Sequence, residues 1–240
     1  MARDSILEQF FSTLITGQRD EAKAIVDELV DAETPAQRIV THLFWPALEH
    51  VQSLHRNDQL ADVAFHYATR LLRLLVAHME LRYERGPNRD KKVLVVCGPE
   101  ESEEIAAQIT ADLLDADGYD VFFCGGGIAN DEIVAQIGEL NIDALVMFGD
   151  LPTTVPYTRL LIDRIHDIGL SKTTQVIVGG GVFNRADGLA EEIGADLWAK
   201  SPEDIVAAMD EHPDRRMASD QRTVGKRTRT RRSSSESEAA

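Results

Sequence analysis

The fold is decided by the stretch VLVVCGPEESEEIAAQITADLLDADGYDVFFCGGG, residues 93–127. Its first five residues are a continuous apolar run, too short for a helix and ended by Gly98-Pro99, so they read as a strand buried on both faces. A helical stretch follows over about 102–116, and Gly118 turns the chain. VFFC (121–124) is a second strand, closed by Gly125, Gly126 and Gly127. Strand, helix, turn and strand make one unit of a parallel sheet, because a parallel neighbour is reached only through a crossover.

The unit recurs downstream. A helix at 130–140 leads to a strand at 144–148 that ends at Gly149, and a helix past Pro152 and Pro156 runs to about 168. A strand at 175–178 ends in Gly179, Gly180 and Gly181, and a short helix spans 186–193. A strand at 196–198 and a helix at 202–209, with Ser201 as its N-cap, complete the series. Five strands, each followed by a helix, predict a flavodoxin-like, Rossmann-like three-layer α/β sandwich. Right-handed crossovers favour the strand order 2-1-3-4-5.

Upstream, the apolar period is helical. Ile6, Leu7, Phe10, Phe11 and Leu14 form one stripe, and Ala22, Ile25, Val26 and Leu29 a second. The third is Ile39, Leu43, Phe44, Leu48, Val51 and Leu54; the fourth is Val63, Ala64, Tyr67, Leu71, Leu72, Leu75 and Met79. Thr34 is the expected N-cap of the third helix, with Pro35 at its first position. Four such stripes with short connections predict an antiparallel bundle. The chain thus divides into a cap-like four-helix region (1–86), a linker (87–92) within the hydrophilic run RYERGPNRDKK, the α/β domain (93–211) and a tail (212–240).

The formal charge of −16, from 41 acidic against 25 basic side chains, disfavours nucleic-acid binding by the body. The tail differs: Arg222, Lys226, Arg227, Arg229, Arg231 and Arg232 precede SSSESEAA, a composition that predicts disorder and at most weak, salt-sensitive contact with nucleic acid. No apolar run is long enough to span a membrane, and MARDSILEQFF lacks the pattern of a secretory signal. Cys97 and Cys124 form neither a disulfide framework nor a chelating pair, and at strand ends both are expected to pack as small hydrophobes. A cytoplasmic location is the expectation.

Ligands of open parallel sheets bind outside the carboxyl ends of the strands. The candidate loops are 98–104, 125–130, 149–154 and 179–185, of which the two triple-glycine runs leave most room for close backbone approach. The first loop has no dinucleotide or Walker fingerprint. Its glutamates at 100, 101, 103 and 104 suit the first turn of a helix, where the macrodipole favours acid. The seven histidines show no metal-ligand spacing, no serine sits in a nucleophile elbow, and no catalytic residue or metal ligand is predicted.

Taken together, the helical cap, the linker and the glycine-looped sandwich resemble the cobalamin-binding modules of methionine synthases, corrinoid methyltransferase proteins and B12-dependent photoreceptor regulators. The resemblance covers about 37–211 and rests on Gly118-Tyr119-Asp120-Val121, Ile142-Asp143-Ala144, Gly179-Gly180 and Ile193-Gly194-Ala195-Asp196. That family carries D-x-H-x-x-G in its first loop, where the histidine replaces the cofactor's lower base on cobalt. The matching positions here are Glu101, Glu103 and Ala106. The family's S-x-L becomes Gly149-Asp150-Leu151, while Val178-Gly179-Gly180-Gly181 keeps the pattern of the last loop. In the cap, the family's tryptophan falls near His55, with Trp45 ten residues earlier, and its Glu-His pair becomes Phe65-His66.

The resemblance implies that Glu103, Gly125, Gly126, Gly149, Leu151, Gly179, Gly180 and His66 would contact cobalamin or another corrinoid, without the usual histidine ligand. It implies a non-catalytic, ligand-sensing or regulatory protein with atypical corrinoid binding. Two alternatives are a scaffold that has lost the corrinoid and mediates protein–protein interaction, and a methyl-carrying corrinoid subunit of a methyltransferase system. A protein partner or a homo-oligomer is expected in each case.

Overall fold

The computed structural model describes residues 2–217. The arginine-rich and serine-rich parts of the tail therefore lie outside the described residues.

The amino-terminal region opens with α1 (Ala2–Thr16) and α2 (Arg19–Asp31). A continuous helical rod follows: α3 (Ala36–Ile39), a π turn (Val40–Phe44) and α4 (Trp45–Arg56). Pro46 explains the wide turn. It has no N–H to give the carbonyl four residues back, and the ladder re-registers so that Trp45 N–H reaches Val40 O, five residues back. Pro35 is extended (ψ 136°) and precedes the rod, so the helix starts one residue later than expected and Thr34 does not cap it.

The fourth helix, α5 (Asp62–Glu80), buries Ala68, Leu71, Leu72, Leu75, Val76 and Met79, a stripe at helical period. Val63 and Tyr67 lie outside that stripe and are exposed, Tyr67 with its ring beside Gly17. The helix ends at Glu80; beyond it Leu81 lies in solvent, while Tyr83 packs partly buried against the core outside the helix.

The second half alternates β1 (Lys92–Cys97), α6 (Glu101–Ala116), β2 (Asp120–Gly126), α7 (Asn130–Leu140), β3 (Ala144–Phe148), α8 (Val155–Asp167), β4 (Gln175–Gly179), α9 (Gly181–Arg185), α10 (Leu189–Ile193), β5 (Leu197–Ala199) and α11 (Pro202–Glu211). All strands are parallel, in the order β2-β1-β3-β4-β5, as the flavodoxin-like reading requires. The helix read at 186–193 is observed only as α10, since Ala186–Gly188 is not helical, and α9 forms within the stretch read as the loop 179–185. The edge strand β2 is bulged: Val95 pairs with Phe123 and Val96 with Gly125, which leaves Cys124 out of register. Cys124 is consequently exposed, against the expectation of burial.

Each strand alternates between two cores. Val93, Val95, Val146, Phe148 and Ile177 face α6, α11 and the cap, in one core continuous with Phe10, Phe44 and Leu72. Leu94, Val96, Leu145, Met147 and Val178 face α7 and α8 in a second, with Ile133, Ile137, Leu161 and Ile165. Beyond α11 the chain stays on the body, where Gln175 Nε2 donates to His212 O (2.9 Å) and Met217 N–H to the buried Asp196 Oδ1 (2.6 Å).

Candidate functional site

Glu103 sits in the first turn of α6, where acids are usually solvated, yet its side chain is fully buried. It closes a capping box with Glu100, accepting Glu100 N–H at Oε2 (3.4 Å). Its Oε1 accepts N–H bonds from Asp150 (2.6 Å) and Leu151 (3.2 Å) in the third loop. Burial raises its pKa, and these three amides pull the other way. Gly98 wraps the carboxylate so tightly that a Cβ there would lie 2.0 Å from Oε2.

Asp150, also buried, is the centre of the next layer. Arg56 Nη1 of the cap reaches its Oδ2 at 2.7 Å, and Arg185 Nη1 of α9 reaches its Oδ1 at 3.1 Å. Arg185 Nη2 donates to the Asp150 carbonyl as well. The fourth loop touches the third through Gly180, which has φ +105° and would bring a Cβ to 2.3 Å from Gly149 O. Only glycine combines that dihedral with that approach.

The cap closes on this edge. Trp45 meets Phe148 edge-on, with ring centroids 6.0 Å apart. On α5, Arg73 Nη2 pairs with Glu104 Oε1 (2.6 Å) and Thr69 Oγ1 donates to Glu101 Oε2 (3.3 Å). Between α4 and the third and fourth loops lies a cleft of about 440 Å³, lined by Trp45, Glu49, Arg56, Asp150, Asn184 and Arg185. Burial raises the Glu49 pKa there, with Arg56 opposing. Asn184 donates from Nδ2 to Lys200 O, and its buried Oδ1 has no donor among the described residues.

The predicted residues therefore separate into groups. Glu103, Gly149, Leu151, Gly179 and Gly180 converge at one edge. Gly125 and Gly126 flank it across β1, with Gly126 backed against Gly98 O. His66 is an exposed residue of α5. Near it, His55 stacks on Phe65 with centroids 4.0 Å apart and bonds Asp62. Sequence reasoning missed Arg56, Arg185, Phe148 and Asn184, and passed over Trp45 because of its distance from His55.

The other face of the sheet ends differently, in an apolar cavity of about 580 Å³ lined by Val96, Ile133, Met147, Leu161, Ile128 and Tyr157. Its polar groups are spent on the backbone: Thr154 Oγ1 on Leu151 O, Thr158 Oγ1 on Thr154 O, Asn130 Nδ2 on Tyr157 O. Cys97 borders it with a thiol pushed up to about 12, first by burial and then by Glu103 and Glu104, and is no reactive thiolate. Among the described residues no three His, Cys, Asp or Glu side chains could hold a metal ion, and no helix is long and apolar enough to cross a membrane.

A flavodoxin-order sheet whose carboxyl edge is roofed by a helical cap is the architecture of a module that holds a cofactor between roof and edge. Comparison with known proteins identifies that cofactor class. Two models, each described as a B12 binding domain, match residues 6–80 and 91–210, and the chain belongs to the B12-binding domain family. It is 26% identical over 206 residues to a corrinoid protein of Desulfitobacterium hafniense (strain Y51), covering 84% of this chain and 94% of the relative. It is 24% identical over 209 residues to dimethylamine corrinoid protein 1 of Methanosarcina acetivorans, covering 86% and 97%. The solved Methanosarcina barkeri monomethylamine corrinoid protein superposes with a TM-score of 0.68 at 17% identity, over 87% of this chain and 98% of that one, and so shares the fold.

Cobalamin or another corrinoid is thus the cofactor the family implies. The glycine loops and the open acceptor of Asn184 suit a ring fringed with amide donors. The lower position offers no nitrogen: Glu103 stands there with both oxygens taken up by backbone amides. Phe148 and Ile205 pack against Gly179 beside it.

Proposed function

We propose that the protein is a corrinoid carrier of the methyl-transfer type, which holds its cofactor between cap and sheet edge without a protein ligand from the first loop. The observation that carries this reading is the match of B12-binding models to both halves, cap as well as sandwich, together with corrinoid-protein relatives aligned over most of their length. A bound corrinoid supplies a cobalt that accepts a methyl group and passes it on. The chain's own residues would bind it: the unpartnered Asn184 Oδ1 could accept from a peripheral amide, Trp45 would line the cleft from the cap side, and Glu103 holds the first and third loops together through backbone amides. The protein is a carrier rather than an enzyme, and its partner is a protein that delivers or removes the methyl group.

The test is reconstitution. Purified protein mixed with hydroxocobalamin or methylcobalamin and gel-filtered should elute red, with the visible spectrum of the base-coordinated free cofactor. A protein that stays colourless with both sinks the carrier reading. A bound spectrum with the lower base displaced sinks the role given to Glu103.

A further inference from the structure

The positions at which this chain departs from its family are bonded to one another and to the cap. Glu103, in the histidine position, holds the amides of Asp150 and Leu151. Asp150 in turn holds Arg56 of α4 and Arg185 of α9, and Glu101 takes a hydroxyl from Thr69 of α5. We infer that Asp150 is the pin of a latch that keeps the cap shut on the sheet edge in the cofactor-free chain, and that the latch opens to admit a corrinoid.

Three observations support the latch. The polar ties between cap and sheet edge run from α4 through Arg56–Asp150 and from α5 through Arg73–Glu104 and Thr69–Glu101, beside an apolar contact that continues the sheet core into the cap. The cleft beside the Arg56–Asp150 tie, about 440 Å³, is that of a drug-sized pocket and admits only part of a molecule as large as a corrinoid. The two ties also differ in strength. The Asp150 side chain is only 7% exposed and neutralises two guanidinium groups, whereas Arg73 and Glu104 are 48% and 33% exposed and screened by water. Removing the Asp150 charge takes from Arg56 and Arg185 the carboxylate they share and leaves Glu49 as the acid near Arg56, so the cap side of the latch is released.

The gating part rests on the carrier reading; the latch itself does not. The experiment measures amide hydrogen exchange on the full, cofactor-free chain, comparing the natural protein with Asp150→Asn and, on the more exposed cap side, Arg56→Gln. Exchange in α4 and α5 is expected to accelerate about 10- to 100-fold in both variants, while β1 and β3 keep their protection. Salt at about 1 M, which screens the exposed Arg73–Glu104 pair far more than the buried Asp150, should leave the natural protein better protected than either variant. Unchanged cap exchange in both variants, or acceleration spread equally over cap and sheet, overturns the latch. In a second arm, hydroxocobalamin uptake is followed by stopped flow, and the variants should load faster. Equal uptake rates despite a faster-opening cap overturn the gating. No uptake by any form defeats the carrier reading, and the exchange data still decide the latch.

Discussion

The two faces of the sheet share strands but end differently at the carboxyl edge. On the α6/α11 face, the Trp45 and Phe148 rings meet edge-on and the Glu103 carboxylate holds the Asp150 backbone amide, beside a cleft of about 440 Å³. On the α7/α8 face, the strands end in an open apolar cavity with Tyr157 at its rim. The family's cofactor motifs map to the closed face. The difference teaches that the carboxylate at the position the resemblance gives to a histidine is itself buried and bonded, and satisfies amides of the third loop.

The comparison breaks most directly at Phe148. Phe148→Ala removes a ring that is 3% exposed and wedged between Trp45 and Gly179, and leaves a void the close-packed loops cannot collapse into. Urea unfolding should show a loss of about 3–5 kcal/mol. Next in size is Glu103→Ala, which strands the amides of Asp150 and Leu151 in a buried place. The expected loss is about 2–3 kcal/mol, read from the same unfolding curves. Glu103→Gln, which keeps one acceptor oxygen, should lose less than half of that.

How much of this was legible in the sequence follows from the range of each interaction. The sandwich was readable because each strand–helix unit is local, whereas strand order is not visible in the sequence and chirality only narrowed the topologies. The glycine loops were readable for the same reason. The role of Glu103 was not: its partners lie 47 and 48 residues away, and an acid in a first helical turn reads as solvated. Arg56 was hidden further, 94 residues from Asp150, in a helix end where arginine looks like surface. Cys124 was misjudged because a bulge is a two-strand property, invisible in the bulged strand alone.

A second buried carboxylate on α6 sharpens the contrast through pH. Asp112 has one side-chain donor, Gln108, and its Oδ2 has no hydrogen-bond partner among the described residues. Burial, with repulsion from Glu80 and Asp115, pushes its pKa up from 3.8 to about 7 against the pull of Gln108. A folded-state value above the unfolded one means the folded chain holds the proton more tightly. That contribution is complete below about pH 4 and is lost as pH rises through about 7. Asp112→Asn, neutral throughout, should therefore match the natural protein at pH 4 and exceed its stability by about 2 kcal/mol at pH 8. That is half of the full linkage of about 4 kcal/mol, since water reaching the ionised group relaxes part of the penalty. Denaturant midpoints measured across this range check it; a difference independent of pH would remove Asp112 from the closed face's ionisable groups.

The smallest effect belongs to the open face. Tyr157 is an aromatic at the carboxyl edge, as Phe148 is, but it is 70% exposed. Its ring therefore has little to lose, because the water it meets in the folded chain is nearly what it meets unfolded. The contact that ties it to α7 is made by its backbone carbonyl, which accepts from Asn130 and survives truncation of the side chain. Tyr157→Ala should shift stability by under about 0.5 kcal/mol. Thermal and urea unfolding run beside Phe148→Ala give the comparison directly: two aromatics at one sheet edge, one closing a filled face and one bordering an open cavity. A loss at Tyr157 approaching that at Phe148 would mean that the cavity closes over its rim in solution, and the two faces would then end alike.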